Sequence, residues 1–423
     1  MKAPGPSAPP DPPVVVLDDL AAPRFTAEVR AILDAMGSMA GDCPIEPDAL
    51  RALAVERTGL DDFGDPSYEA SLDVLTTAFR EEARLSPAGV VNVHAQLVQL
   101  LVNRLRLTEL FRRHPEIDDV PVTAPIVIAG MPRTGTTHLH NLLAADPALR
   151  SLPYWESIEP VLAPGDEPAP GDPDPRLART EVAVEFVDAA MPYFTRMHEM
   201  TVEHVHEEIQ LLAIDFSTMF FETLALMPTW RDWYRANDQT PSYRYLRRCL
   251  QALTWLRGGR RWVLKSPQHL EQFGPLTEVF GDATVVVTHR DPVHVTASMA
   301  TMVAYTARLQ VERPDPLAIG RYWADRVEDL LRACTEDRDV LPTAQSLDVR
   351  FDDFMADDLG TVERIYALAG QPFDPPARAA MEAYLRDHGR DRHGRVAYDL
   401  GPLGLDAGER AAAFVGYRER FGV

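Results

Sequence analysis

IAGMPRTGTTHLHNLL, running from Ile128 to Leu143, decides how the rest of the chain is read. The β-branched run APIVIAG (124 to 130) has the pattern of a buried strand, and THLHNLLAADP reads as a helix. Between them lies a glycine-containing turn. There, free backbone N–H groups and a helix N-terminus favour an anion. Gly130-x4-Gly135 has the spacing of a nucleotide phosphate loop, with Thr134, Gly135, Thr136 and Thr137 as its donors and its turn. The lysine that ordinarily follows the second glycine is replaced by Thr136.

Working outward, three more short runs suit the same sheet: RWVLK (261 to 265), ATVVVTH (283 to 289) and SLDVRF (346 to 351). Helical patterns separate them. Strands alternating with helices predict an α/β fold with a parallel, P-loop-like sheet and a site at the carboxyl ends of its strands. Apolar residues recur at three and four from about Arg24 to His114, which predicts an N-terminal helical layer over 14–120. The α/β domain then occupies 121–423, with a mostly helical insertion at 176–260 as a lid or acceptor wall. Residues 1–13 carry six prolines and read as a disordered tail, and the acidic stretch 163–175 as an exposed loop.

Composition narrows the function. A net charge of -22 over 423 residues repels phosphate polymers, so non-specific binding to nucleic acid or to an anionic membrane is not expected. Any anion must be held by local groups. Cys43, Cys249 and Cys334 are scattered, without disulfide or zinc spacing, and no metal is expected. The N-terminus lacks an apolar signal region and no run approaches a membrane span, so a reduced, cytoplasmic protein is expected. Of the 42 basic side chains only Lys2 and Lys265 are lysines. A lone interior lysine suits a site that wants a compact charge.

Phosphoryl transfer from a nucleoside triphosphate normally uses the loop lysine and a metal-binding acid on a later strand. Here that later strand, TVVVTHRDP, ends in Arg290. A sulfuryl group carries less negative charge, and cationic side chains can manage its transfer without a metal. The loop therefore suits a nucleotide whose reactive end is a sulfate.

Three segments together resemble the sulfotransferases that use 3'-phosphoadenosine 5'-phosphosulfate (PAPS). GMPRTGTT is similar to their 5'-phosphosulfate loop, with Arg133 where many members have Lys. THRDPVHVTASM holds Arg290 and Ser298 eight apart, like the family's 3'-phosphate pair. WVLKSPQHL matches the strand carrying a donor-contacting lysine, here Lys265. The resemblance covers about residues 124 to 400 and is nearest to the bacterial branch with LKSPQHL. It implies a sulfotransferase α/β core, PAPS as cosubstrate, a hydroxylated small-molecule acceptor and in-line displacement. Arg133 and Lys265 would stabilise the growing charge.

Cytosolic members carry a His two residues after the strand lysine, where this chain has Pro267. Glu156, in RSLPYWESIEP, is the expected general base by resemblance to members with a glutamate after the loop helix, and His269 is a second candidate. EHVHEEIQLL (203 to 212) holds His204, His206, Glu207 and Glu208 on a segment read as helical or as a hinge, and as a solvated face or part of an acceptor site. Arg392 and Arg395 occupy the place of the basic segment that closes on the donor, and His138 stands where relatives carry a tryptophan. The competing readings are a P-loop nucleotide kinase and an inactive adenine-nucleotide-binding protein.

Overall fold

Ile126–Ala129 (β1) is buried along its whole length and forms the centre of a five-stranded sheet. The other strands are Leu149–Arg150 (β2), Arg261–Ser266 (β3), Thr284–His289 (β4) and Ser346–Arg350 (β5). Their spatial order is β2-β3-β1-β4-β5, and every neighbouring pair is parallel. The chain fills one side of β1 first and then the other, so the change of direction falls at β1. In such sheets the ligand crevice opens at the carboxyl ends of the strands beside that point. The computed structural model describes residues 14–389 and 392–423, and the proline-rich tail expected at 1–13 lies outside them.

Side chains alternate across β1, as the two-residue period of a strand requires. Ile126 and Ile128 join a cluster with Leu139, Leu142, Val286 and Phe354 on one face. Val127 and Ala129 join the larger cluster on the other. That second face is covered by helical layers, which explains why both faces of the strand read as apolar.

Four helices precede the sheet: Ala27–Gly37 (α1), Pro47–Thr58 (α2), Tyr68–Glu81 (α3) and Pro87–Arg113 (α4). α4 starts where Ser86 accepts the Gly89 N–H at 2.9 Å and Pro87 takes the first turn, a position that needs no N–H donor. Leu97, Leu101 and Leu105 recur at four along α4 and lie in the same cluster as Val127 and Leu264. Buried Arg104 donates to Asp215 at 2.9 Å and to the carbonyls of Phe63 and Asp65, tying the insertion to this layer.

The insertion contains helices Pro175–Ala190, Pro228–Ala236 and Thr240–Arg257; a short turn joins the last two, and a long stretch of irregular structure with brief helical turns joins the first two. Its 203–208 stretch is not a helix. Val205–His206 pairs antiparallel with Leu152–Pro153, and Glu208 then accepts the Lys265 N–H at 2.7 Å. A segment rich in charged and imidazole side chains is thereby carried onto the carboxyl edge of β3. Beyond the loop the chain adds helices Thr136–Ala144 (α5), Pro292–Thr306 (α6) and Pro316–Asp337 (α7).

Candidate active site

The turn from β1 into α5 is built for close approach. A Cβ on Gly130 would lie 2.0 Å from Thr288 Oγ1 and 2.8 Å from Thr136 Cγ2, so only glycine lets β4 pack against the loop. Arg133 and Gly135 adopt positive φ of 74° and 90°, and between them the Thr134 N–H donates to the Met131 carbonyl at 3.3 Å, closing a tight turn. The Thr134 hydroxyl donates to the Met131 carbonyl at 2.7 Å and lies 2.6 Å from Thr288 Oγ1. Both hydroxyls thus brace the loop. Thr136 opens α5 and is buried, with Thr137 following it on the same helix.

Each residue of His289-Arg290-Asp291-Pro292 has a separate task. His289 turns inward between Asp348 at 2.9 Å and Tyr417 at 2.8 Å. Asp291 caps α6 by accepting from Val293 and His294, and Pro292 takes the first helical position. Arg290 reaches back over the Phe351 ring, 3.9 Å from its centroid, and donates to the Arg133 carbonyl at 2.8 Å. Ser298 is buried two turns into α6, one turn beyond His294. Burial, then the Arg133 charge beside it, holds the Arg290 guanidinium below its usual range. Among the described residues neither guanidinium has an ion-pair partner. Arg133 instead lies 5.6 Å from the centroid of Tyr398, and its Nε and the Tyr398 hydroxyl are buried without a hydrogen-bond partner.

Lys265, at the carboxyl end of β3 and paired in register with Ile128, is only 2% exposed, and its ammonium is ion-paired with Glu207. Beside it, Glu208 bonds His269 Nε2 at 2.5 Å, and His269 Nδ1 lies 2.7 Å from the Tyr243 hydroxyl. Burial raises the Glu208 carboxyl, but His269 and the donated N–H groups outweigh it, leaving the group below the usual range. Three further histidines gather here: His198 and His204 with ring centroids 5.2 Å apart, and His204 and His206 5.7 Å apart. Burial, followed by the charge of Lys265 and neighbouring rings, pushes His198 down to about 3 and His204 to about 2, with His206 well below normal. Burial thus favours the neutral imidazole in all three. His198 Nδ1, His204 Nε2 and His206 Nδ1 are buried with no partner.

The loop, Arg133, Lys265 and Arg290 thus converge on one sheet edge, while other expected site residues sit elsewhere or are already engaged. Glu156 is 1% exposed and lies between Arg150, at 3.1 Å, and Arg257, at 3.4 Å. Arg150 also donates to the carbonyls of Leu253 and Gly258, ahead of β3, so this pair faces the amino end of the sheet. Burial raises the Glu156 carboxyl and the arginines pull it back, with burial prevailing. His269 is fully buried with both ring nitrogens engaged. Arg392 is ion-paired with Glu199, and Arg395 is exposed in a strand pairing with Val14–Val15. His138 lies 3.1 Å from Asp358, with its ring near Phe354. The sequence places Glu207 with His204, His206 and Glu208 on one polar segment but does not pair it with Lys265. The place of Glu207 opposite the lone interior lysine depends on the 152–153 with 205–206 pairing, which leaves no periodic signal.

Residues 125–375 match the model of a sulfotransferase family. The chain belongs to that sulfotransferase family. Among solved structures, this sulfotransferase is similar to STF1 of Mycobacterium tuberculosis H37Rv, at 33% identity and a TM-score of 0.76 over 88% of this chain and 98% of that one. It is also similar to STF9 of Mycobacterium avium, at 26% identity and a TM-score of 0.79 over 89% and 97%. The omega-hydroxy-beta-dihydromenaquinone-9 sulfotransferase Stf3 of Mycobacterium bovis is 24% identical over 277 residues, 62% of this chain and 67% of the relative. Among the described residues no helix of the sulfotransferase is long and apolar enough to cross a membrane, and no group of three or more His, Cys, Asp or Glu is placed to hold a metal ion.

Proposed function

We propose that this sulfotransferase moves the sulfuryl group of PAPS to a hydroxyl of a small-molecule acceptor. The observation that carries this reading is the bond from Arg290 to the Arg133 carbonyl, which sets two guanidiniums without ion-pair partners, among the described residues, at the rim of the loop. Like charges held together in a half-buried place call for an anion. The unpartnered Arg133 Nε and Tyr398 hydroxyl fit the same need. A cosubstrate with two anionic ends matches two sets of donors: the loop with Arg133 and Lys265 for the phosphosulfate, and Arg290 with Ser298 for the ribose phosphate.

In this reading Gly135, Thr136 and Thr137 hold the 5' end through backbone N–H groups and the two threonine hydroxyls, on a turn that Thr134 braces. Lys265 and Arg133 face the oxygen that gains charge as the sulfur–oxygen bond breaks, the position where fixed cations lower the barrier. Arg392 and Arg395 would join the donor site only after Arg392 leaves Glu199. Glu156 and His269 serve the fold, through the Arg150 pair and the Glu208–Tyr243 bridge. The curated mycobacterial relative is named for an omega-hydroxylated dihydromenaquinone, which supports a hydroxyl acceptor. Calorimetry tests the donor: 3',5'-adenosine bisphosphate should bind and ATP with Mg²⁺ should not. Tight binding of ATP alone would favour a phosphotransferase.

A further inference from the structure

Sulfuryl transfer to a hydroxyl requires a proton acceptor, and the carboxylates around Lys265 differ sharply in what they have left to offer. Glu208 accepts the Lys265 N–H with one oxygen and meets His269 with the other. Glu156 is bracketed by Arg150 and Arg257 at the far end of β3. Glu199 is paired with Arg392 and His393. Glu207 differs from these. Its side chain is 13% exposed, and the partner it has is the ammonium of Lys265.

We propose that Glu207 takes the proton from the acceptor hydroxyl, and that Lys265 stands between this base and the phosphate that leaves. The inference rests on the sulfuryl-transfer reading above. The acceptor O–H bond breaks and its proton passes to the Glu207 carboxylate while the acceptor oxygen bonds to sulfur. The bond from sulfur to the phosphate oxygen breaks, its electron pair stays on that oxygen, and Lys265 faces the charge that results. One ammonium touching both groups couples the two events. His198, His204 and His206 are too weakly basic to compete, because burial holds their protonated forms far from reach. Their unpartnered ring nitrogens are suited to orienting a hydroxyl toward Glu207.

The test compares wild type, Glu207→Gln, Glu207→Asp and Glu156→Gln. Single-turnover consumption of PAPS is followed with a panel of phenols and primary alcohols and with water itself, across pH. Binding of 3',5'-adenosine bisphosphate is measured by calorimetry in parallel. Because Lys2 and Lys265 are the chain's lysines, ¹³C-labelled lysine reports Lys265 with little overlap. Glu207→Gln is expected to lose about 10²–10⁴ in rate. It should keep bisphosphate affinity within about threefold and still move the Lys265 signal when the bisphosphate is added. Glu207→Asp should recover part of the rate, and Glu156→Gln should keep it. A Glu207→Gln protein with near wild-type rate overturns the proposal, as does one that loses bisphosphate binding in step with rate, since Glu207 would then only position Lys265. A wild-type protein that does not bind the bisphosphate removes the donor reading first, and the base assignment with it.

Discussion

Arg290 donates to the backbone carbonyl of Arg133 at 2.8 Å, so the end of β4 holds the loop that follows β1. The bond uses one Nη1 hydrogen and leaves the remaining donors of the guanidinium fork for a ligand. Arg290 therefore has two roles that a substitution separates. Arg290→Ala should weaken 3',5'-adenosine bisphosphate by about 1.5–3 kcal/mol, the size of a hydrogen bond to a charged group. Arg290→Lys should retain charge but lose the fork, and fall between the two. Calorimetry reads both, and equal affinity in all three proteins would remove Arg290 from the donor site.

Gly130 is the point where β4 and the loop come nearest. Gly130→Ala places a methyl on Thr288 Oγ1, and overpacking of that kind typically costs about 1–3 kcal/mol. The clash is with a side chain, so it should be relieved in part by Thr288→Ala. Urea unfolding of the two single variants and the double variant tests this. The double should be more stable than the sum of the singles predicts, a coupling typical of residues in contact. Strict additivity would mean that the loop moves away from β4 at little cost.

The sheet was legible from the sequence because β1, β3, β4 and β5 are long enough for their β-branched pattern to register. β2 was not, since Leu149–Arg150 is two residues long and exists only by pairing with Arg261 and Trp262. The meeting of the loop, Arg290 and Lys265 at one sheet edge could be foreseen because each follows or ends a recognisable strand. The contact of Glu207 with Lys265 could not, because it depends on an antiparallel pair of two residues on each side, Leu152–Pro153 with Val205–His206, separated by the whole front of the insertion. The surroundings of Glu156 were hidden for a related reason. A glutamate beside Tyr154 and Trp155 looks like a base held in an apolar wall, and nothing local announces Arg150 and Arg257 on either side of it.

That placement gives Glu156 its own expected behaviour. Removing one partner of a buried ion pair typically costs about 3–5 kcal/mol, because the other charge is left unmatched. Arg150→Met should therefore destabilise the protein strongly, with Glu156 left in place. Glu156→Gln retains shape and hydrogen-bonding capacity and should cost less. Chemical denaturation monitors the stability. Rate per folded molecule should change little in Glu156→Gln, and a selective loss of rate without loss of stability would return Glu156 to the chemistry.

Acid should loosen the same region through its histidines. His140 and His198 are pushed down to about 3 and His204 to about 2, by burial first and then by Lys265 or a neighbouring imidazole, against an ordinary value of 6.5. Between pH 6.5 and about 3 the unfolded chain therefore binds more protons at these sites than the folded one, so stability falls as pH falls through that window. Above pH 6.5 their contribution is fully present. Urea midpoints for wild type and His198→Asn at pH 7.5, 6.5, 5.5 and 4.5 should converge on acidification, because the variant lacks one of the groups that must be kept neutral. Carboxylates common to both proteins add the same slope to each curve and cancel in the difference. Parallel curves across the range would show that His198 protonates without opening the fold, and that the ring lies in wetter surroundings than its contacts with Phe194 and His204 imply.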